Sequence, residues 1–84
     1  MSNDHHVDHR HRHAFAAFLE RLATGEADPE QWQRLVVNHY LDDTLERVRR
    51  DCVRLRMQNE AMRWSREEKD RIHAWVQELG ITAV

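Results

Sequence analysis

The chain has 84 residues, 13 basic and 15 acidic side chains and one cysteine, which is the size of one small domain. The near-neutral charge argues against a nucleic-acid binder with a dominant basic surface, and a lone cysteine excludes a disulfide within the chain. No apolar run approaches the roughly 18 residues that a membrane span needs, so we expect no membrane partner. The lone cysteine and the lack of a signal peptide predict a cytoplasmic protein.

The N-terminal segment MSNDHHVDHRH is polar and rich in histidine. A segment of this composition cannot bury enough apolar surface to fold, so we expect residues 1–11 to be a disordered tail. A single helical domain is expected over residues 12–84. Its first helix is predicted over about 12–24, because apolar residues recur there with helical spacing and Gly25 provides a stop.

Capping signals place the other helices. Asp28 precedes Pro29 at the start of the second helix, an aspartate pair at 42–43 can cap the third, and Ser65 stands three residues before Glu68 as in a capping box. The sequence therefore predicts a small all-α domain with a long central third helix and with helices over about 12–24, 29–40, 43–63 and 66–79.

An apolar heptad seam runs along the third helix. Its members are separated by alternating steps of four and three: Leu41, Leu45, Val48, Cys52, Leu55, Asn59 and Met62. Such a seam predicts packing against other helices, either of this chain or of a second copy. In a parallel pair of copies, Asp51 would face Arg56 of the partner subunit. On this seam we expect Cys52 to be a buried core residue rather than a reactive thiol.

A second apolar stripe lies on another side of the same helix, formed by Val53, Met57, Ala61 and Trp64. A helix that is apolar on two sides is usually covered on both, either entirely by its own chain or partly by a partner. Trp64 is the best candidate for an exposed anchor, since tryptophan is enriched at interface hot spots. The partner-interface candidates are Trp64, Met57, Val53, Arg49, Arg56, Arg63 and Asn59.

No nucleophile and base can be paired from the sequence, and two glycines cannot form a glycine-rich phosphate loop. We therefore expect no enzymatic activity and no cofactor. The sequence favours a protein-interaction or adaptor module that self-associates through its third helix, with a homodimer or another protein as partner.

Two alternatives remain open at this point. A nucleic-acid-binding regulator would use the arginine face of the third helix, formed by Arg47, Arg50 and Arg54, although interspersed acids favour a salt-bridged surface there. A metal-handling protein would use the N-terminal histidines His5, His9 and His13, whose spacing of four suits one helix face. The simpler interpretation of these histidines is adventitious affinity for zinc or nickel.

Overall fold

The computed structural model describes residues 8–61 and 63–80. They form four α-helices: α1 (His9–Ala23), α2 (Pro29–Leu35), α3 (Asp43–Gln58) and α4 (Arg66–Glu78). The prediction of a small all-α domain whose third helix is the longest is confirmed. Within the described ranges, no helix has the length and apolar character needed to cross a membrane. Most of the predicted disordered tail, residues 1–7, lies outside the described residues.

Side-chain caps explain where the helices begin. Asp42 accepts a hydrogen bond from the Leu45 N–H at the start of α3, and Ser65 and Glu68 form the predicted capping box of α4. Helix α1 begins at His9, three residues before its predicted start, because the Asp8 side chain accepts a hydrogen bond from the His11 N–H. Residues 9–11, predicted to belong to the tail, are therefore helical.

Helix α2 ends at Leu35, five residues before the predicted boundary. The carbonyls at its end accept hydrogen bonds from side chains instead of from a further helical turn. Asn38 Nδ2 donates to the Arg34 carbonyl over 2.8 Å, and the Tyr40 hydroxyl donates to the Leu35 carbonyl over 2.6 Å. The chain consequently leaves the helix early and turns towards α3.

Helix α3 also ends early, at Gln58 rather than near residue 63. Asn59 is its C-cap, and Asn59 Nδ2 donates to the Arg63 carbonyl over 2.9 Å, which closes a turn before α4. This turn directs Trp64 inward, where it is only 8 % exposed and its Nε1–H donates to the Leu22 carbonyl over 2.7 Å. Trp64 is therefore a core residue, and its prediction as an exposed anchor is wrong.

The core lies between α1, α4 and one side of α3, and it includes Val36 from the end of α2. The heptad seam faces this core, since four of its members are buried: Leu45, Val48, Cys52 and Leu55. Leu41 is exposed, Asn59 is partly buried at the helix end, and Met62 lies outside the described residues. The chain thus covers the seam itself, so a coiled coil through the seam would require α3 to separate from its own core.

Candidate functional site

An open groove runs between α2, the connection that follows it and the outer side of α3. Its volume is about 600 Å³, and eight residues line it: Trp32, Val36, Val37, Arg49, Val53, Arg56, Met57 and Glu60. We refer to this set as the α2–α3 groove. It contains four of the interface candidates named from the sequence, namely Arg49, Val53, Arg56 and Met57.

Apolar side chains are exposed in the α2–α3 groove. Met57 is 72 % exposed and Val37 is 57 % exposed, while Val53 and Trp32 are partly buried. In the described part of the chain, Leu41 is the other large apolar residue with high exposure, at 81 %, and it lies outside the groove. Because clustered exposed apolar side chains mark interaction surfaces, the groove is the best candidate for a binding site.

Val36 forms the buried base of the groove, and Arg49 on α3 holds its backbone in place. Arg49 Nη1 donates to the Val36 carbonyl over 2.9 Å, while Nε and Nη2 donate to the two carboxylate oxygens of Glu46 over 3.0 and 2.7 Å. A bidentate pair of this kind fixes both side chains in one geometry. Arg49, one of the predicted interface candidates, therefore lines the groove from a buried position, because the Val36 carbonyl at the end of α2 needs a donor there.

Glu46 connects the residues after α2 to α3. Its carboxylate accepts a hydrogen bond from the Tyr40 N–H over 2.9 Å and lies 3.0 Å from His39 Nδ1. The hydrogen bonds from Arg49, supported by that from the Tyr40 backbone, outweigh the effect of burial and lower the pKa of Glu46 to about 2. Glu46 is thus ionised at neutral pH and positions the segment that forms one wall of the groove.

A second ion pair fixes the start of α3 against α1. Asp42 accepts hydrogen bonds from Arg12 Nε and Nη2, from the Asp8 N–H and from the Leu45 N–H. Burial alone would raise the pKa of Asp42, but these hydrogen bonds outweigh it and hold that pKa well below its ordinary value. The α2–α3 connection is therefore anchored at its end by the buried carboxylate of Asp42, and at His39 and Tyr40 by the carboxylate of Glu46.

Two charged side chains lie at the rim of the groove. The Arg56 guanidinium carbon lies 4.6 Å from the centre of the Trp32 ring, a cation–π contact that holds the arginine beside α2. Glu60 is exposed beyond the end of α3. Neither side chain has an ion pair or a side-chain hydrogen bond within the described ranges, so both charges are available to a binding partner.

The other interface candidates lie away from the groove. Arg63 is exposed near Trp64, in the turn before α4. Asn59 donates to the Arg63 carbonyl and lies 3.3 Å from the Glu68 carboxylate, so its role in this structure is to close that turn. The structure therefore separates these three residues from Met57, with which the sequence groups them as interface candidates, because the turn after α3 directs Asn59 towards α4 and Trp64 towards α1.

The arginine face proposed for nucleic acid is exposed, and each of its members lies near a carboxylate. Arg47 pairs with Glu78 on α4, Arg54 lies 3.8 Å from Asp51, and Arg50 lies 3.6 Å from Glu46. These contacts fit the salt-bridged surface that the interspersed acids favour. They reduce the positive charge that the face could offer to a phosphate backbone.

The histidine candidates for metal are only partly described. His9 and His13 are exposed on α1, whereas His5 lies outside the described residues. Across residues 8–61 and 63–80, no group of three histidine, cysteine, aspartate or glutamate side chains is arranged to hold a metal ion. The metal-handling alternative therefore remains a prediction from the sequence.

Four of the eight residues that line the groove are not among the interface candidates predicted from the sequence: Trp32, Val36, Val37 and Glu60. The apolar pattern assigns Trp32 and Val36 only to the buried side of the second helix and gives Val37 no role. The run Leu35-Val36-Val37 is the signal that could have found it, because three consecutive helix positions span about 200° and cannot all face one core. The assignment still requires knowing that α2 ends at Leu35.

In comparisons with known proteins, the chain matches no family model, no curated protein and no solved structure.

Proposed function

We propose that this chain is a non-enzymatic protein-interaction module that binds the apolar surface of another protein molecule in the α2–α3 groove. The observation that carries the proposal is the joint exposure of Met57 and Val37 beside the partly buried Trp32 and Val53. Covering these side chains removes apolar surface from water, which is the main driving force of protein association. We also propose a cytoplasmic location, supported by the single free cysteine.

The groove has the features of a site that receives a helix. It lies between one short and one long helix, and its apolar centre has charged groups at the rim, the usual arrangement in helix-in-groove recognition. Its walls are fixed by the Arg49–Glu46 pair rather than by exposed loops alone. A preformed groove loses less conformational entropy on binding than one that has to be ordered by its partner.

A nucleic-acid-binding function has weaker support. Arg47, Arg50 and Arg54 have carboxylates nearby, so binding to phosphates would have to compete with existing ion pairs. If this alternative were correct, binding to a DNA or RNA duplex would fall steeply with salt concentration. The groove gives no reason to expect that behaviour, because its exposed centre is apolar.

Site-specific photo-cross-linking tests the proposal without requiring a purified partner. A benzophenone amino acid is placed at position 37, inside the groove, and in a matched control at position 41, which is also exposed but outside the groove. We expect discrete cross-linked products in cells from position 37 that are lost in the Met57→Glu background, and a different or diffuse pattern from position 41. Equal products from both positions, insensitive to Met57→Glu, would contradict the proposal.

A further inference from the structure

We infer that the groove binds a second copy of this chain, related by a two-fold axis close to Met57, with Arg56 of each copy paired to Glu60 of the other. The inference rests on the proposed function, because it names the partner for the same groove. It also specifies an arrangement that differs from the parallel coiled coil considered from the heptad seam, since the seam is buried in the chain's own core.

The charges at the rim of the groove can complement those of a second copy. A two-fold interface brings the same patch of two copies together, so the patch must complement itself: each group meets its counterpart across the axis. The α2–α3 groove has one cation, Arg56, and one anion, Glu60, that lack an ion pair among the described residues. They flank Met57 in the sequence, so a two-fold axis near Met57 can place each of them near its opposite in the second copy.

The charges of the whole groove balance. Its remaining charged residue, Arg49, is neutralised by Glu46. The groove therefore offers one positive and one negative group, and its charges balance. A uniformly acidic or basic partner would satisfy one rim group and be repelled by the other, whereas a second copy satisfies both.

The rim cation, Arg56, is held in position before any partner binds. Stacking on Trp32 holds the Arg56 guanidinium at the edge of the groove while leaving its N–H groups able to donate. Less side-chain entropy is lost when such a group pairs than when a free arginine does. At the centre, Met57 would meet Met57 of the second copy, and the flexible, unbranched methionine side chain is well suited to pack against itself.

The experiment measures solution mass by light scattering over a dilution series from about 1 mM to about 1 μM, in chelator and reductant, the range where an interface of modest size dissociates. At high concentration we expect a mass twice the 10.2 kDa of one chain, falling towards one chain on dilution. Arg56→Glu and Glu60→Arg should each shift the dimer midpoint at least tenfold to higher concentration. The matched control Arg54→Glu, on the arginine face, should leave the midpoint unchanged.

Charge exchange then tests the reciprocal pairing. The Arg56→Glu chain presents two carboxylates at the rim and the Glu60→Arg chain presents two guanidiniums, so an equimolar mixture should form a heterodimer even though each variant alone is monomeric. The double variant Arg56→Glu/Glu60→Arg should regain self-association. Thermal unfolding of each variant, monitored by circular dichroism, confirms that the monomers remain folded.

The outcomes separate this inference from the proposed function. A monomer throughout the series overturns the inference, and if position 37 still cross-links to a protein of another mass, the proposed function stands. A dimer that Met57→Glu abolishes but that neither charge variant weakens overturns the two-fold pairing and keeps the groove as the interface. A dimer whose midpoint is unchanged by Met57→Glu overturns the inference. If position 37 also gives no specific cross-linked product, the proposed function is overturned as well.

Discussion

The substitution Asp42→Ala tests whether the buried carboxylate at the start of α3 holds the molecule together. Asp42 is 1 % exposed, caps α3 through the Leu45 N–H, and accepts two hydrogen bonds from Arg12 and one from the Asp8 N–H. Loss of the cap lowers the free energy of unfolding by about 1 kcal/mol. The Arg12 side chain, 16 % exposed, also loses its charge-assisted hydrogen bonds, which contributes about 2 kcal/mol more.

The expected total of about 3 kcal/mol is large for this chain. A domain of 84 residues has a free energy of unfolding of about 4–13 kcal/mol, and each kcal/mol shifts its Tm by about 4–8 °C. Asp42→Ala should therefore lower the Tm by at least about 12 °C, and in a marginally stable chain it should leave a partly unfolded population at room temperature. Urea and thermal unfolding at neutral pH, followed by circular dichroism, measure the effect.

A double-mutant cycle isolates the contribution of the ion pair. Asp42→Ala, Arg12→Ala and the double variant should give a coupling free energy of about 2 kcal/mol. The control is the exposed pair of Arg54 and Asp51, 3.8 Å apart, for which the same cycle should give less than about 0.5 kcal/mol. If the two cycles gave equal coupling, burial would not be strengthening the Asp42–Arg12 pair, and the reasoning would be refuted.

Three further predictions concern pH, the cysteine and a helix cap. Hydrogen bonds from Arg49 lower the pKa of Glu46 from 4.5 to about 2, so its contribution to stability is present above about pH 4.5 and is lost as the pH falls towards 2. That loss amounts to about 3 kcal/mol. Glu46→Gln should therefore reduce the dependence of the urea unfolding midpoint on pH over this range. An unchanged pH dependence of the midpoint would contradict the assignment. Burial raises the pKa of Cys52 to about 12, so a disulfide reagent at pH 8 should react with it only after denaturation, and rapid reaction of the native protein would show that the thiol is accessible. Ser65→Ala removes the capping box of α4 and should lower the free energy of unfolding by about 1 kcal/mol, whereas Ser65→Asp, which can still cap, should lower it by less than half as much.

Much of the fold could be predicted because its signals are local. The capping residues Asp28 and Ser65 start α2 and α4 as expected, and each acts on backbone N–H groups within three residues of itself. The apolar spacing of the heptad seam identified the buried side of α3, including Cys52. Such features depend on helix geometry alone, so a sequence is sufficient to find them.

The ends of α2 and α3 could not be predicted, because groups distant in the sequence contribute to them beside the local side-chain hydrogen bonds. Glu60 and Ala61 have good helix propensity, yet the chain turns there and Trp64 reaches the Leu22 carbonyl of α1. After Leu35, the free carbonyl of Val36 is satisfied by Arg49, thirteen residues further along the chain. Burial of an aromatic side chain, or a charge-assisted hydrogen bond to a carbonyl, outweighs the few tenths of a kcal/mol by which local propensities differ.

The candidate site likewise combines features that the sequence predicts with features that depend on tertiary contacts. The sequence by itself determined that α3 has two apolar sides, and it placed Met57 and Val53 on the second of them. Only the tertiary structure decided which side remains open, because α1 and α4 cover the seam while the short α2 leaves Met57 and Val37 exposed. The physical reason is that periodicity gives the direction of a side chain around its own helix, whereas exposure depends on how many other elements are long enough to reach it.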